Sequence, residues 1–127
     1  MRAAYSRAAA FVAVLFVGGC GSSGPAEPSA DPQDVEVAIT ASGVSPKEVT
    51  VRIGDRVRFR NNDTRPHAVS SDPVGTHSDC PVVNNVGTLN PGESRRTGAF
   101  PLARTCGFHD HNDENNADMQ GRIIILK

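Results

Sequence analysis

The chain has 127 residues, with 13 Lys and Arg against 14 Asp and Glu, for a formal net charge of −1. From Val35 onward the charges balance, eleven basic and eleven acidic, so there is no clustered positive excess and nucleic acid is excluded as a partner. That stretch is long enough for one small hydrophobic core and too short for two domains.

In chain order, the first predicted element is an export signal. Arg2 and Arg7 precede an uncharged run, Ala8–Gly19, that is too short to span a bilayer as a mature helix. Residues 1–19 therefore read as a signal peptide. The junction Val17-Gly18-Gly19-Cys20 resembles a bacterial lipobox, which makes Cys20 the lipid-modified first residue of the mature protein. The expected location is the bacterial cell envelope, membrane-anchored through that lipid and facing periplasm or exterior. Residues 20–34 carry the lipidated cysteine and then Gly, Ser and three prolines with almost nothing to bury, the composition of a solvated tether.

A single domain is expected over residues 35–127, built from strands. Val35–Thr40, Glu48–Ile53 and Asp55–Arg60 alternate apolar with polar side chains, the period of a strand with one face on a core. Arg56, Arg58 and Arg60 then face solvent, while Val57 and Phe59 face in. Ile53-Gly54-Asp55 and Asn90-Pro91-Gly92-Glu93 supply turns, the second in the Pro-Gly order of a type II turn. The chain ends in Gly121–Lys127, a β-branched apolar run suited to a central strand. No window shows helical periodicity. The fold class is all-β, a Greek-key β-sandwich.

The residues that carry chemistry cluster late in the chain. Cys106, His109 and Met119, with the earlier His67, combine a soft thiolate, imidazoles and a thioether, a donor set that suits copper in an electron-transfer site. His77 and His111 are further imidazoles. Continuing a strand through this region puts His109 and His111 on one face and Asp110 on the other. The cysteines leave an alternative open. With Cys20 acylated, only Cys80 and Cys106 remain, and in an oxidising compartment two such cysteines pair by default. The loop Asp110–Asp118 is rich in Asp and Asn, as solvated loops are, and lacks the glycine of an EF-hand calcium loop. There is no paired-carboxylate, triad or open-zinc pattern, so no enzyme activity is expected.

Glu48–Asp63, His67-Ala-Val, Leu89–Ser94, Cys106-Gly-Phe-His109 and Met119-Gln-Gly121-Arg-Ile-Ile-Ile follow in an order that resembles the cupredoxins, the plastocyanin- and azurin-like copper domains. The resemblance covers about residues 36–127. It implies one copper ion held by His67, Cys106, His109 and the axial Met119, and a one-electron carrier working between redox partner proteins in the cell envelope as a monomer. A second resemblance, to secreted cupredoxin-like domains with Thr-His before a Cys-Pro pair and a His-Asp-His segment, implies instead that Cys80 and Cys106 touch and form a disulfide. Copper would then be held by histidines alone, His77 and His111 joining His67 and His109, in a protein that binds copper and passes it between a donor and an acceptor without redox work. A disulfide-stapled structural module without metal is the third possibility.

Overall fold

The computed structural model describes Gly21 and residues 34–127. The expected signal peptide over residues 1–19, the expected lipidation site Cys20 and nearly all of the expected tether lie outside the described residues. No helix among the described residues is long and apolar enough to cross a membrane.

Nine strands form two mixed sheets, and the only helical pieces among the described residues are two short 3-10 segments, Pro81–Asn85 and Ala117–Met119. The first sheet orders its strands β2 (Gly43–Ser45), β1 (Asp34–Thr40), β4 (Arg56–Asn61) and β7 (Ser94–Arg96). The second orders β3 (Glu48–Arg52), β9 (Gln120–Leu126), β8 (Arg104–Asp110), β5 (His67–Ser71) and β6 (Gly87–Leu89). Parallel pairs β1/β4 and β3/β9 sit among antiparallel ones. The alternation expected along the first strands is present. Val57 and Phe59 are buried while Arg56 and Arg60 are exposed, and Arg58 reaches Asp34 at 3.0 Å on the outer face. Both anticipated turns form, with Asp55 N donating to Arg52 O and Glu93 N to Asn90 O, each at 3.0 Å.

The core lies between the sheets. Val37, Ile39, Val57 and Phe59 meet Val49, Val51, Val69, Cys106, Phe108, Ile123 and Ile125, all nearly inaccessible. Phe59 and Phe108 touch edge to face across the sandwich, centroids 4.9 Å apart, a geometry favoured by the ring quadrupoles. Gly121 pairs directly with Phe108. A Cβ there would come within 2.4 Å of the Phe108 ring, so only glycine lets the ring lie flat over β9 into the core.

These contacts fix the parity of β8. Because Phe108 points into the core, Cys106 and Asp110 do so as well, while Gly107 and His109 lie on the outer face of the five-stranded sheet. That parity decides the site.

Candidate metal centre

On the inner face His67, the first residue of β5, is 1 % exposed. Its Nδ1 donates to Asp110 Oδ2 at 2.6 Å and its Nε2 to Asp63 Oδ2 at 2.9 Å. Both ring nitrogens are thus engaged by carboxylates that are themselves buried. The His67 hydrogen bond, with that of Thr64 N and the nearby Arg65, holds the Asp63 carboxyl down at about 2. Asp110 also accepts from the backbone N–H groups of Ala68 and Asn112 through Oδ1. The cluster is a closed clamp that ties the β4–β5 loop to the end of β8.

The sulfurs are closed as well. Cys80, just before the 3-10 segment Pro81–Asn85, and Cys106 in β8 form a disulfide, their Cα atoms 5.8 Å apart. Met119 is 1 % exposed and belongs to the hydrophobic core.

The copper set implied by the cupredoxin order, His67, Cys106, His109 and Met119, therefore does not assemble. The physical reason is strand parity: β8 runs unbroken through His109, and residues three apart on a strand project to opposite sides. In addition, no thiolate exists while Cys106 is bonded to Cys80, and both His67 ring nitrogens are already within hydrogen-bond distance of buried carboxylates, so neither is free for a metal. The structure adopts the other arrangement left open by the sequence, the Cys80–Cys106 bond.

On the outer face three imidazoles converge. His109 is 1 % exposed, and its Nδ1 donates to Asp72 Oδ1 at 2.7 Å. His77 lies in the loop after β5 with φ of +50°, the left-handed region that costs a non-glycine residue energy and often marks a functional position. Its Nδ1 donates to Ser71 O at 3.0 Å, and its carbonyl accepts from Asn84 Nδ2 at 2.9 Å. His111 follows β8 with its backbone N–H on Ala68 O and its Nδ1 on Glu114 Oε1 at 2.9 Å. Ring centroids are separated by 5.1 Å for His77 and His109, 4.9 Å for His77 and His111, and 6.4 Å for His109 and His111.

One donor atom from each of His77, His109, His111 and Glu114 lies within 4.8 Å of the others. With each Nδ1 satisfied by a carbonyl or carboxylate, the Nε2 atoms are the ones left to coordinate, the usual arrangement of a metal-binding histidine. One observation points to a ligand. His109 Nε2 is the one buried side-chain polar atom without a hydrogen-bond partner among the described residues, and such an orphan is costly unless something occupies the space beside it.

Three imidazoles and a carboxylate fit copper or zinc, and by intrinsic affinity Cu(II) binds such donors more strongly than Zn(II). His109, His111 and His77 were legible as candidates, and the predicted common face of His109 and His111, with Asp110 opposite, is what the structure has. Glu114 and Asp72 were missed. Glu114 stands three residues after His111, a spacing that could have drawn attention to it. Nothing in the sequence singles out Asp72.

Comparison with known proteins agrees with the fold. No curated protein sequence matches the chain significantly. Among solved structures, a purple cupredoxin from Nitrosopumilus maritimus is similar with a TM-score of 0.57 at 18 % identity, covering 73 % of this chain and 100 % of that one. Reduced auracyanin from Roseiflexus castenholzii is similar with a TM-score of 0.55 at 19 % identity, covering 74 % of this chain and 97 % of that one. A Cu-containing nitrite reductase from Thermus scotoductus is similar over 76 % of this chain but only 23 % of its own length, with a TM-score of 0.59 at 21 % identity. The family profile of the cupredoxin-like domain matches residues 8–125, and with two mixed sheets packed as a β-sandwich the chain belongs to the cupredoxin-like family.

Proposed function

We propose that this protein binds one copper ion through His77, His109 and His111, with Glu114 at the edge of the group, and that it handles copper in the cell envelope without a thiolate-based blue site. The observation that carries the reading is the unpartnered, buried Nε2 of His109, facing two other imidazoles. Bound copper would supply a redox-active Lewis acid there, and the chain would supply fixed nitrogens and a partly open edge at His111, whose side chain is 51 % exposed. The N-terminal segment fits the same role. A signal over residues 1–19, a lipid on Cys20 and a tether to residue 34 would hold a monomeric domain close to the membrane, where it meets a copper donor or acceptor. No enzymatic activity is part of this reading.

Titration of the full chain with Cu(II), followed by paramagnetic resonance and visible absorption, tests it. One ion per chain with nitrogen hyperfine coupling and no intense charge-transfer band supports the histidine site. An intense blue or purple band would show a thiolate ligand and overturn it. Absence of stoichiometric binding would leave the metal-free module.

A one-electron carrier is the second reading. What favours it is that the imidazoles are already held by Ser71, Asp72 and Glu114, which limits rearrangement between copper oxidation states. Reversible voltammetry of the copper-loaded chain distinguishes a carrier from a protein that only binds and releases the ion.

A further inference from the structure

We infer that Asp72 is the positioning residue for His109, and that Gly107 is glycine to make room for it. The inference rests on the histidine site proposed above and says what sets that site's most buried ligand.

Asp72 does not belong to β8, yet it is docked on it. Its backbone N–H donates to Gly107 O at 3.0 Å, its carbonyl accepts from Asp79 N at 2.8 Å and from Ser71 Oγ at 3.0 Å. The residue is thereby pinned across β8 two positions before His109. From there its side chain folds over Gly107 and accepts from His109 Nδ1 at 2.7 Å. The space it uses exists only because residue 107 has no side chain. A Cβ on Gly107 would lie 1.9 Å from Asp72 Oδ2 and 2.7 Å from its Cγ, so any side chain there would push the Asp72 carboxylate away from its place beside His109. Gly107 does not have a positive φ, so backbone conformation does not demand glycine. The neighbouring carboxylate does.

The chemical consequence lies in the ring. An acceptor on Nδ1 keeps the proton there and leaves the lone pair on Nε2, the atom that is buried, unpartnered and turned to His77 and His111. Without Asp72 the ring is free to rotate or to change tautomer, and the site loses its fixed nitrogen. His109 itself is completely covered, whereas the Asp72 side chain is 41 % exposed. A half-exposed aspartate can be changed with less risk to the core than any ligand beneath it.

The test uses the full chain with Cu(II) as titrant, and the metal-free chain for nitrogen-15 spectra of the imidazoles. Asp72→Ala and Gly107→Ala, neither of which removes a ligand, are each expected to weaken Cu(II) binding about 10- to 100-fold. In the metal-free spectra the Nδ1–H form of His109 should give way to a mixture of tautomers. Asp72→Asn, which keeps an acceptor oxygen of the same reach, should restore the tautomer and most of the affinity. His109→Ala is the control. If it leaves Cu(II) binding unchanged, the histidine site itself is wrong. If it abolishes binding while Asp72→Ala keeps native affinity and tautomer, the site stands and the positioning role of Asp72 is overturned. Should Gly107→Ala fail to fold, the Ala and Asn variants at position 72 decide the question on tautomer and affinity together.

Discussion

His67 and His109 are equally buried and stand on neighbouring strands of one sheet, but they face opposite sides and their ring nitrogens have different fates. His67 has both nitrogens on carboxylates. His109 has one nitrogen on a carboxylate and the other on nothing. Burial and residue type are the same, so neither identifies a ligand. What separates them is the account of lone pairs: a completed imidazole is a structural clamp, and an incomplete one beside two more imidazoles is a group that could hold a metal.

The sharpest way to break this contrast is to remove each histidine in turn. His109→Ala should lower Cu(II) affinity at least about 100-fold, more than an outer-shell change would, with little loss of fold. His67→Ala should do the reverse. It leaves Oδ2 of the buried Asp110 carboxylate without its partner, at a cost on the order of 3 kcal/mol, while Cu(II) binding stays within about tenfold. Calorimetric titration and urea unfolding of both variants measure the two effects, and a loss of copper binding in His67→Ala with His109→Ala unaffected would invert the assignment.

The disulfide sits between the two regions. It closes a segment with a sequence separation of 26 residues and ties to β8 the end of the loop that bears Asp72 and His77, which lie just before Cys80. In the chain-entropy account such a closure contributes about 3 kcal/mol. Cys80→Ala/Cys106→Ala should lower the urea midpoint accordingly and still bind Cu(II) without a charge-transfer band. A visible band present in the oxidised native chain and absent from this double variant would mean that sulfur is a ligand after all.

A smaller effect separates the regions by pH. The Asp63 carboxyl is held at about 2, below its ordinary 3.8, mainly by His67. A depressed carboxyl stabilises the fold above the unfolded value, and that contribution is lost as pH falls from about 4 towards 2. The clamp should thus give way in acid, and Asp63→Asn should show a shallower decline in urea stability across that interval. Equal slopes for the two proteins would mean that the pairing adds no stability.

The least effect belongs to the exposed edge. Glu114→Gln keeps a hydrogen-bond acceptor for His111 Nδ1 and removes only a charge and an oxygen ligand. A decrease in Cu(II) affinity of about tenfold or less is expected, read by the same titration. A loss as large as that of His109→Ala would make Glu114 a principal ligand.

Much of the fold was legible because it depends on period. The alternation through Val35–Arg60, the glycines at the turns and the apolar run at the end produce strands wherever they are packed. Within the site, the same rule correctly joined His109 to His111 and set Asp110 opposite. Followed one step further, it also separates Cys106 from His109, three residues apart on an unbroken strand; the family order concealed this, since a Cys-x-x-His pair shares one metal only where the strand ends between the two.

By itself, then, the sequence determined a β-sandwich and a set of candidate metal-binding histidines, because periodicity, apolar runs and residue chemistry are local properties. Only the tertiary structure decided which histidines act together. Whether Asp110 completes His67, whether Cys80 reaches Cys106, and whether Asp72 lies across Gly107 depend on contacts between residues 26 to 43 positions apart. Such contacts follow from strand pairing and loop docking, and a ring nitrogen becomes a ligand or a clamp according to which of them the fold brings to it.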